Sequence, residues 1–186
     1  MAATFNWCED NGTQTGSPLH GTTRSQSSTP PTDVSWKNVD DAKTGSGGTL
    51  YSASPIIAGN NSYTKYQYGQ FTGTFNQILN CLWSAHTSPA GALATGLTLK
   101  GIVTSTYATP STTANAALTT DFTTAVAIGS GSAVNFSTTG PEAGSPTSTL
   151  AAPGFTQYLA TQLQTTSGAA AGDMAAITAT LQYDEN

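Results

Sequence analysis

Apolar side chains alternate with neutral polar ones along much of this chain, and this alternation constrains its fold more than any other feature. Between Tyr63 and Trp83 the odd positions include Phe71, Phe75, Leu79 and Cys81, and the even positions include Thr72, Thr74, Asn76 and Asn80. A side-chain period of two is the signature of a β-strand, whereas an amphipathic helix repeats every 3.6 residues. The alternation recurs over residues 97–104, 155–163 and 177–183. The sequence therefore predicts a mainly β protein.

The scarcity of charge supports the same fold class. Charged residues make up 8% of the 186 residues, against roughly 25% in an ordinary globular protein. Soluble helices carry Glu, Lys and Arg on their exposed faces, and this chain has few of them. Thr, Tyr, Phe, Val and Ile suit a pleated, half-buried surface better. Low charge also removes a common guard against association, which is typical of proteins that assemble.

The pattern predicts about eight strands joined by loops of varied length, which favours an antiparallel β-sandwich or jelly-roll-like domain. We assign this domain to residues 49–186. Residues 1–48 are polar and rich in turn formers, so we expect an irregular, extended N-terminal arm with one short strand around Val34 and Trp36. Gly73 interrupts an alternating segment and indicates a bulge or a close backbone contact.

Charge and hydropathy exclude two classes of partner. The net charge is −5 and the five basic residues are scattered, so the clustered cations that bind nucleic acid are missing. No run reaches the roughly 18 apolar residues of a membrane span. The first residues lack the features of a signal peptide, so we expect synthesis in a cytoplasm without secretion. Cys8 and Cys81 are then expected to be reduced and buried, with a disulfide only in an oxidising medium.

No catalytic, cofactor-binding or metal-binding pattern is complete. His20 and His86 are the only histidines, and no G-x-S-x-G element surrounds a serine. The His and Cys residues lack the spacing of a zinc site. Three carboxylate pairs lie in polar or terminal contexts where we expect them to be solvated: Glu9–Asp10, Asp40–Asp41 and Asp184–Glu185. The segment Asp10-Asn11-Gly12 lacks the further ligands of a calcium loop. We therefore expect a protein that is not an enzyme.

A tyrosine-rich segment leaves one binding function open. Tyr63, Tyr66, Tyr68 and Phe71 could form a platform on which sugar rings stack. Aromatic residues on strands more often pack against neighbouring strands, and we favour that interpretation. A carbohydrate-binding or adhesin module is therefore the second alternative.

Two stretches carry a resemblance to a known group of proteins. The first runs from Ala58-Gly59-Asn60-Asn61-Ser62-Tyr63-Thr64-Lys65-Tyr66 through Phe71-Thr72-Gly73-Thr74-Phe75-Asn76 to Trp83. The second contains Tyr158-Leu159-Ala160-Thr161-Gln162-Leu163-Gln164, Ala170-Ala171-Gly172-Asp173 and the final Ile177-Thr178-Ala179-Thr180-Leu181-Gln182-Tyr183-Asp184-Glu185-Asn186. Together they resemble tailed-bacteriophage virion structural proteins, and the role most similar is that of a capsid cement or decoration protein.

The resemblance implies a set of partners and a location. The expected partners are the major capsid protein and neighbouring copies of the chain, in a homo-oligomer that is a trimer or a dimer. The expected location is the capsid surface of the virion, after synthesis in the host cytoplasm. A tail-tube or tail-terminator subunit is the first alternative.

The arm suggests which residues make the contact. Buried aromatic residues commonly dominate interface energies, so we expect Phe5, Trp7 and Trp36 to be the assembly contacts. Deletion of residues 1–30 is then expected to leave the sandwich folded and to weaken particle binding.

Overall fold

The computed structural model describes a β-rich chain. The described residues are 2–12, 25–27, 36–40, 53–88, 93–104, 107–110, 118, 120–121, 133–135, 150–156, 158–171 and 176–186. Within them the strands are β1 (Ala3–Asn11), β2 (Ser25–Ser27), β3 (Lys65–Gly73), β4 (Ile78–Ser88), β5 (Leu97–Thr104), β6 (Thr120–Asp121), β7 (Ala133–Asn135), β8 (Gly154–Phe155), β9 (Tyr158–Thr165) and β10 (Ala176–Glu185).

These strands form two sheets in which every pairing is antiparallel. The larger sheet has the order β2-β1-β3-β9-β5-β6, with β8 also paired to β3. The smaller sheet has the order β10-β4-β7. Strands far apart in sequence are neighbours, because β9 lies between β3 and β5. The predicted mainly β, antiparallel class is confirmed.

The first strand corrects the expectation of an irregular N-terminal arm. Ala3–Asn11 pairs with β3 from Ala3↔Gly73 to Asp10↔Tyr66, and β2 pairs with its far end. The expectation failed because the polar residues at the end of this strand lower its apparent β propensity. Their partners come from distant parts of the chain, which sequence periodicity does not reveal. Ala3, Phe5 and Trp7 do alternate, and that was the available signal.

The other strand predictions have mixed outcomes. The alternating segments at 97–104 and 177–183 lie in β5 and β10, and residues 133–135 form β7. The described residues 36–40 contain no strand, so the short strand expected around Trp36 is wrong there. Val34 lies outside the described residues.

Among the described residues, the core includes two clusters on opposite faces of the larger sheet. The first contains Cys8, Tyr66, Tyr68, Tyr107, Leu118, Tyr158 and Ala160. The second contains Phe71, Phe75, Ile78 and Leu150, with Ala3, Phe5 and Tyr183 packed against it. Tyr183 belongs to the smaller sheet, and its ring meets Phe71 edge-on with centroids 4.8 Å apart. The second cluster therefore joins the end of β10 to the larger sheet.

Gly73 makes the close backbone contact that its position in the sequence indicated. Its φ is +92°, a conformation that side-chain-bearing residues rarely adopt. A Cβ on Gly73 would lie 2.8 Å from the carbonyl oxygen of Ala2. Glycine therefore allows β3 to end directly against the start of β1.

Candidate functional site: a buried polar cluster

Three consecutive polar residues of β1 are buried, which is unusual for a strand. Glu9, Asp10 and Asn11 are exposed by only 1%, 0% and 2%. Because side chains alternate along a strand, Glu9 and Asn11 lie on one face of the sheet and Asp10 lies on the other. Each face must therefore supply partners for charged or polar groups, since burial without partners costs several kcal/mol.

On the first face, Glu9 forms an ion pair with Lys65 of β3. Lys65 Nζ lies 3.1 Å from Glu9 Oε1, and Lys65 is exposed by only 1%. Asn11 Nδ2 donates to the same oxygen at 2.8 Å. One carboxylate oxygen therefore accepts hydrogen bonds from an amine and from an amide.

The segment 36–40 contributes to this first face. Trp36 Nε1 donates to Thr161 Oγ1 at 3.2 Å, and Thr161 is the β9 residue paired with Lys65. Asp40 Oδ2 accepts from the Gly12 amide at 2.7 Å, and its Oδ1 accepts from Asn11 Nδ2 at 3.3 Å. These bonds hold the segment beside the ion pair.

Two acceptor atoms in this cluster have no hydrogen-bond partner among the described residues. They are Glu9 Oε2 and Asn11 Oδ1. An unsatisfied buried polar group costs about 1–3 kcal/mol, and more where it is charged. The donor Gln67 Nε2, opposite Glu9 in the strand register, also has no partner there. Unpaired buried atoms are a reason to look for chemistry at that position. The first face is therefore the candidate functional site.

On the second face, Asp10 is enclosed by tyrosines. Tyr68 donates its hydroxyl hydrogen to Asp10 Oδ1 at 3.1 Å, and Tyr158 donates to Oδ2. The Tyr68 and Tyr158 rings meet edge-on with centroids 5.4 Å apart. Tyr66 meets Tyr158 in the same manner at 5.7 Å. Asp10 thus anchors an aromatic cluster through its charge.

The environment keeps these phenols protonated. Burial raises the pKa of Tyr68 far above its ordinary value of 10.0, and the negative charge of Asp10 raises it further. Burial also raises the pKa of Tyr66, while a hydrogen bond with the backbone of Ala108 lowers it. A phenol that retains its proton is a hydrogen-bond donor and a poor base. The second face is therefore suited to holding the sheet together.

Two of the three predicted assembly residues, Phe5 and Trp7, lie together on β1, and the third, Trp36, lies against β9. Phe5 is half-buried, and its ring centroid is 5.3 Å from that of Phe71 and 6.0 Å from that of Trp7. Trp7 is also half-buried on β1, whereas half-buried Trp36 bonds to β9. Phe5 thus contributes to packing within the chain, and the assembly role of the three residues stays a prediction.

Several expectations about polar and aromatic residues are corrected. Glu9 and Asp10 were expected to be solvated and are instead buried, because Lys65 and the tyrosines provide their partners. The alternative of a surface platform for sugars is not supported at Tyr66, Tyr68 and Phe71, because these three residues are buried. Asp184 and Glu185 were expected to be solvated, and both are exposed. Cys8 was expected to be buried, and it is.

Metal and membrane features complete the description. No group of three or more His, Cys, Asp or Glu residues with the proximity of a metal site occurs in the described ranges. His20 lies outside them, and only the backbone of His86 is described. None of the described residues belongs to a helix with the length and apolar character of a membrane span. Comparisons with protein-family models, curated proteins and solved structures found no match.

Proposed function

We propose that this chain is a non-enzymatic structural protein of a tailed-bacteriophage virion, which binds the outer capsid lattice as a cement or decoration protein. The proposal rests on the sequence resemblance and on the architecture together. The observation that supports it most is the smaller sheet, in which β10 pairs only with β4 among the described residues. A ten-residue strand paired on one side offers backbone groups to another chain.

The internal use of the acidic residues is consistent with a structural role. Glu9, Asp10 and Asp40 all accept hydrogen bonds from groups of the same chain. Their partners join β1 to β3, to β9 and to the segment 36–40. These groups therefore contribute to the rigidity of the larger sheet, which a protein that reinforces a shell requires.

The surface composition suits attachment to a lattice. Neutral Ser, Thr and Asn side chains form hydrogen bonds at a lower desolvation cost than charged groups. Many copies bound to a repeating shell convert weak single contacts into strong attachment. We propose the major capsid protein and neighbouring copies as partners, with the uncovered parts of Phe5, Trp7 and Trp36 in the contact.

The proposed arrangement of the two sheets is a sandwich or jelly roll. Its support is the packing of Tyr183, at the end of β10, on Phe5 and Phe71 of the larger sheet. Two antiparallel sheets that bury aromatic residues between them are a common architecture for such proteins.

A tail-tube or tail-terminator subunit is the second candidate. The same one-sided pairing of β10 favours it, because continuing a sheet from one copy to the next is a way to close a ring. Electron microscopy of the purified protein separates the two candidates. Rings or tubes formed by the protein alone would support the tail role, whereas trimers, dimers or monomers that bind only to capsids would support cement.

A binding experiment with particles tests the proposal. Purified chain is mixed with capsids of the encoding phage that lack it, and sedimentation measures the fraction bound. We expect saturable binding that Trp7→Ala and Trp36→Ala weaken. Thr4→Ala, a change of an exposed residue on the same strand as Trp7, is the control. No binding to capsids would contradict the cement role.

A further inference from the structure

The first face of the buried polar cluster brings an amine, an amide and an acid into one dry site. Their carriers are Lys65, Asn11 and Glu9, all of which are at least 98% buried. Each exposed fraction is far below what long polar side chains usually show. We propose that Lys65 and Asn11 form an intramolecular isopeptide bond, with Glu9 as the group that moves the protons.

The strand register supports this pairing. Asp10 of β1 is paired with Tyr66 of β3, and continuing the antiparallel register by one residue places Asn11 across from Lys65. Residues directly opposite in an antiparallel pair have Cβ atoms about 4.5–5.5 Å apart and side chains on the same face. A lysine side chain easily spans that separation.

The hydrogen bonds bring the reacting groups together at one oxygen atom. Glu9 Oε1 is 3.1 Å from Lys65 Nζ and 2.8 Å from Asn11 Nδ2. The carboxylate thus contacts both the nitrogen that would attack and the nitrogen that would leave. A single acid–base group in contact with both is the arrangement that a proton-shuttling step requires.

The chemistry begins with a proton transfer within the ion pair. An amine attacks a carbonyl carbon only when it is neutral, so Lys65 must give a proton to Glu9. The hydrogen bond between the two groups provides the path for this transfer.

The remaining step is balanced without any other reagent. Lys65 Nζ forms a bond to Asn11 Cγ, and the bond from Cγ to Nδ2 breaks. Glu9 gives its proton to the departing nitrogen, which leaves as ammonia, and takes a proton from Lys65 Nζ. The products are a secondary amide and one ammonia molecule, and nothing is oxidised or reduced.

The two unpaired oxygens of the cluster fit this route. Glu9 Oε2 and Asn11 Oδ1 are both acceptors without a described partner. When Glu9 is protonated, its carboxyl group becomes a hydrogen-bond donor beside these two acceptors. A hydrogen bond to Asn11 Oδ1 would polarise the amide carbonyl and stabilise the negative charge that develops there.

One competing reaction must be separated from this one. Asn11 precedes Gly12, and attack by the Gly12 nitrogen on Asn11 Cγ would give a succinimide, also with loss of ammonia. The Gly12 amide donates to Asp40 Oδ2 at 2.7 Å, so its hydrogen is held in a hydrogen bond. The isopeptide bond requires Lys65 and the succinimide does not.

Intact-mass spectrometry of the purified, denatured chain is the test. We expect a mass below that of the sequence, for the same N-terminal form, by one ammonia, about 17 Da. Lys65→Met and Glu9→Gln are expected to show the full mass. The control is Lys100→Met, a change at a half-buried position of β5. This variant is expected to have lost one ammonia, as the wild type has. A full mass for the wild-type chain would overturn the proposal without depending on how any variant folds.

Peptide mapping identifies the linked residues. Trypsin does not cleave after an acylated lysine, so we expect residues 1–24 joined to residues 44–100 in one branched product. Loss of ammonia that persists in Lys65→Met would indicate the succinimide and reject the bond. Loss of one water, about 18 Da, would indicate attack on Glu9 and reject Asn11 as the partner.

Discussion

At the scale of single residues, the larger sheet is organised by charges that are buried with their partners. Asp10 accepts hydrogen bonds from Tyr68 and Tyr158 on one face, and Glu9 accepts from Lys65 and Asn11 on the other. Removing one member of such a set takes a hydrogen-bond partner away from a buried group, and breaking a buried ion pair in this way commonly costs about 3–5 kcal/mol. The strand is therefore specified by its partners more than by its own propensity.

The tyrosines predict how stability depends on pH. The unfolded chain releases phenol protons near pH 10, whereas Tyr66 and Tyr68 in the folded chain keep theirs to higher pH because burial raises their pKa. Above about pH 10 the folded state therefore binds more protons than the unfolded state, and stability falls as pH rises. We expect the urea midpoint to be steady from about pH 7 to 9 and to fall above about pH 10.

The double variant Tyr66→Phe, Tyr68→Phe is the test of this cause. It removes both phenol groups and is expected to lower stability at neutral pH by about 1 kcal/mol or more for each lost hydrogen bond. Its urea midpoint is expected to fall less steeply between about pH 10 and 11 than that of the wild type. Equal slopes for the two proteins would show that other groups control the alkaline transition.

Gly73 provides a second prediction at this scale. In Gly73→Ala the new Cβ meets the Ala2 carbonyl oxygen at 2.8 Å, and the φ of +92° is strained for any side chain. We expect a loss of about 1–3 kcal/mol in the free energy of unfolding. Gly168→Ala is the matched control, because its Cβ would meet nothing closer than 4.0 Å. Equal stability of the two variants would contradict the close approach of β1 to Gly73.

At the scale of elements, β1 is a structural part of the larger sheet. It lies between β2 and β3, and its eight pairs with β3 extend from Ala3 to Asp10. The hydrogen bond from the Ala3 amide to Glu185 Oε1, 2.9 Å long, ties it to the end of β10 as well. An N-terminal segment with these connections belongs to the fold and is not an appendage.

Deletion of residues 1–30 tests the role of this strand. The truncated chain loses β1 and β2, and with them the contacts that Glu9 makes with Lys65 and that Asp10 makes with Tyr68. The outer edge of β3 also loses its paired strand. We expect loss of cooperative urea unfolding, measured by tyrosine and tryptophan fluorescence, or insoluble protein. This replaces the expectation of a folded truncated domain. A soluble truncation with the wild-type midpoint would mean that β1 contributes nothing to stability.

The strands differ in how well the sequence predicts them. Leu97–Thr104 forms β5 as its alternation indicates, because its buried and half-exposed faces follow one pleat. β9 is buried on both faces over Tyr158–Leu163, so burial there does not follow the alternation. The polar end of β1 could not be predicted, because it is buried through contacts with Lys65 and Tyr158, which are 56 and 148 residues away in sequence.

The candidate site shows the same limit. The sequence contains Glu9, Asn11 and Lys65 as ordinary polar residues without a motif, and only the pairing of β1 with β3 brings them together. Conversely, the tyrosine-rich segment was visible in the sequence, and cross-strand packing was the interpretation favoured there. Burial of Tyr66 and Tyr68 confirms it at those two positions.

At the scale of the whole molecule, the two sheets share an aromatic contact and differ in the length of the strands at their ends. Among the described strands, the larger sheet has short strands at both ends of its order, β2 and β6, whereas the smaller sheet has the long strand β10 at one end. Short edge strands limit uncontrolled pairing between chains. A long edge strand is suited to directed pairing with a partner. This asymmetry is consistent with a protein that attaches through one side.

Cryo-electron microscopy of purified virions of the encoding phage tests the central claim most directly. The account predicts density on the capsid exterior into which the two sheets fit, with β10 or the uncovered parts of Trp7 and Trp36 against the shell or a neighbouring copy. Density in the tail would support the tail-tube or tail-terminator role. Particles that lack the chain, by both density and mass spectrometry, would contradict a structural role in the virion.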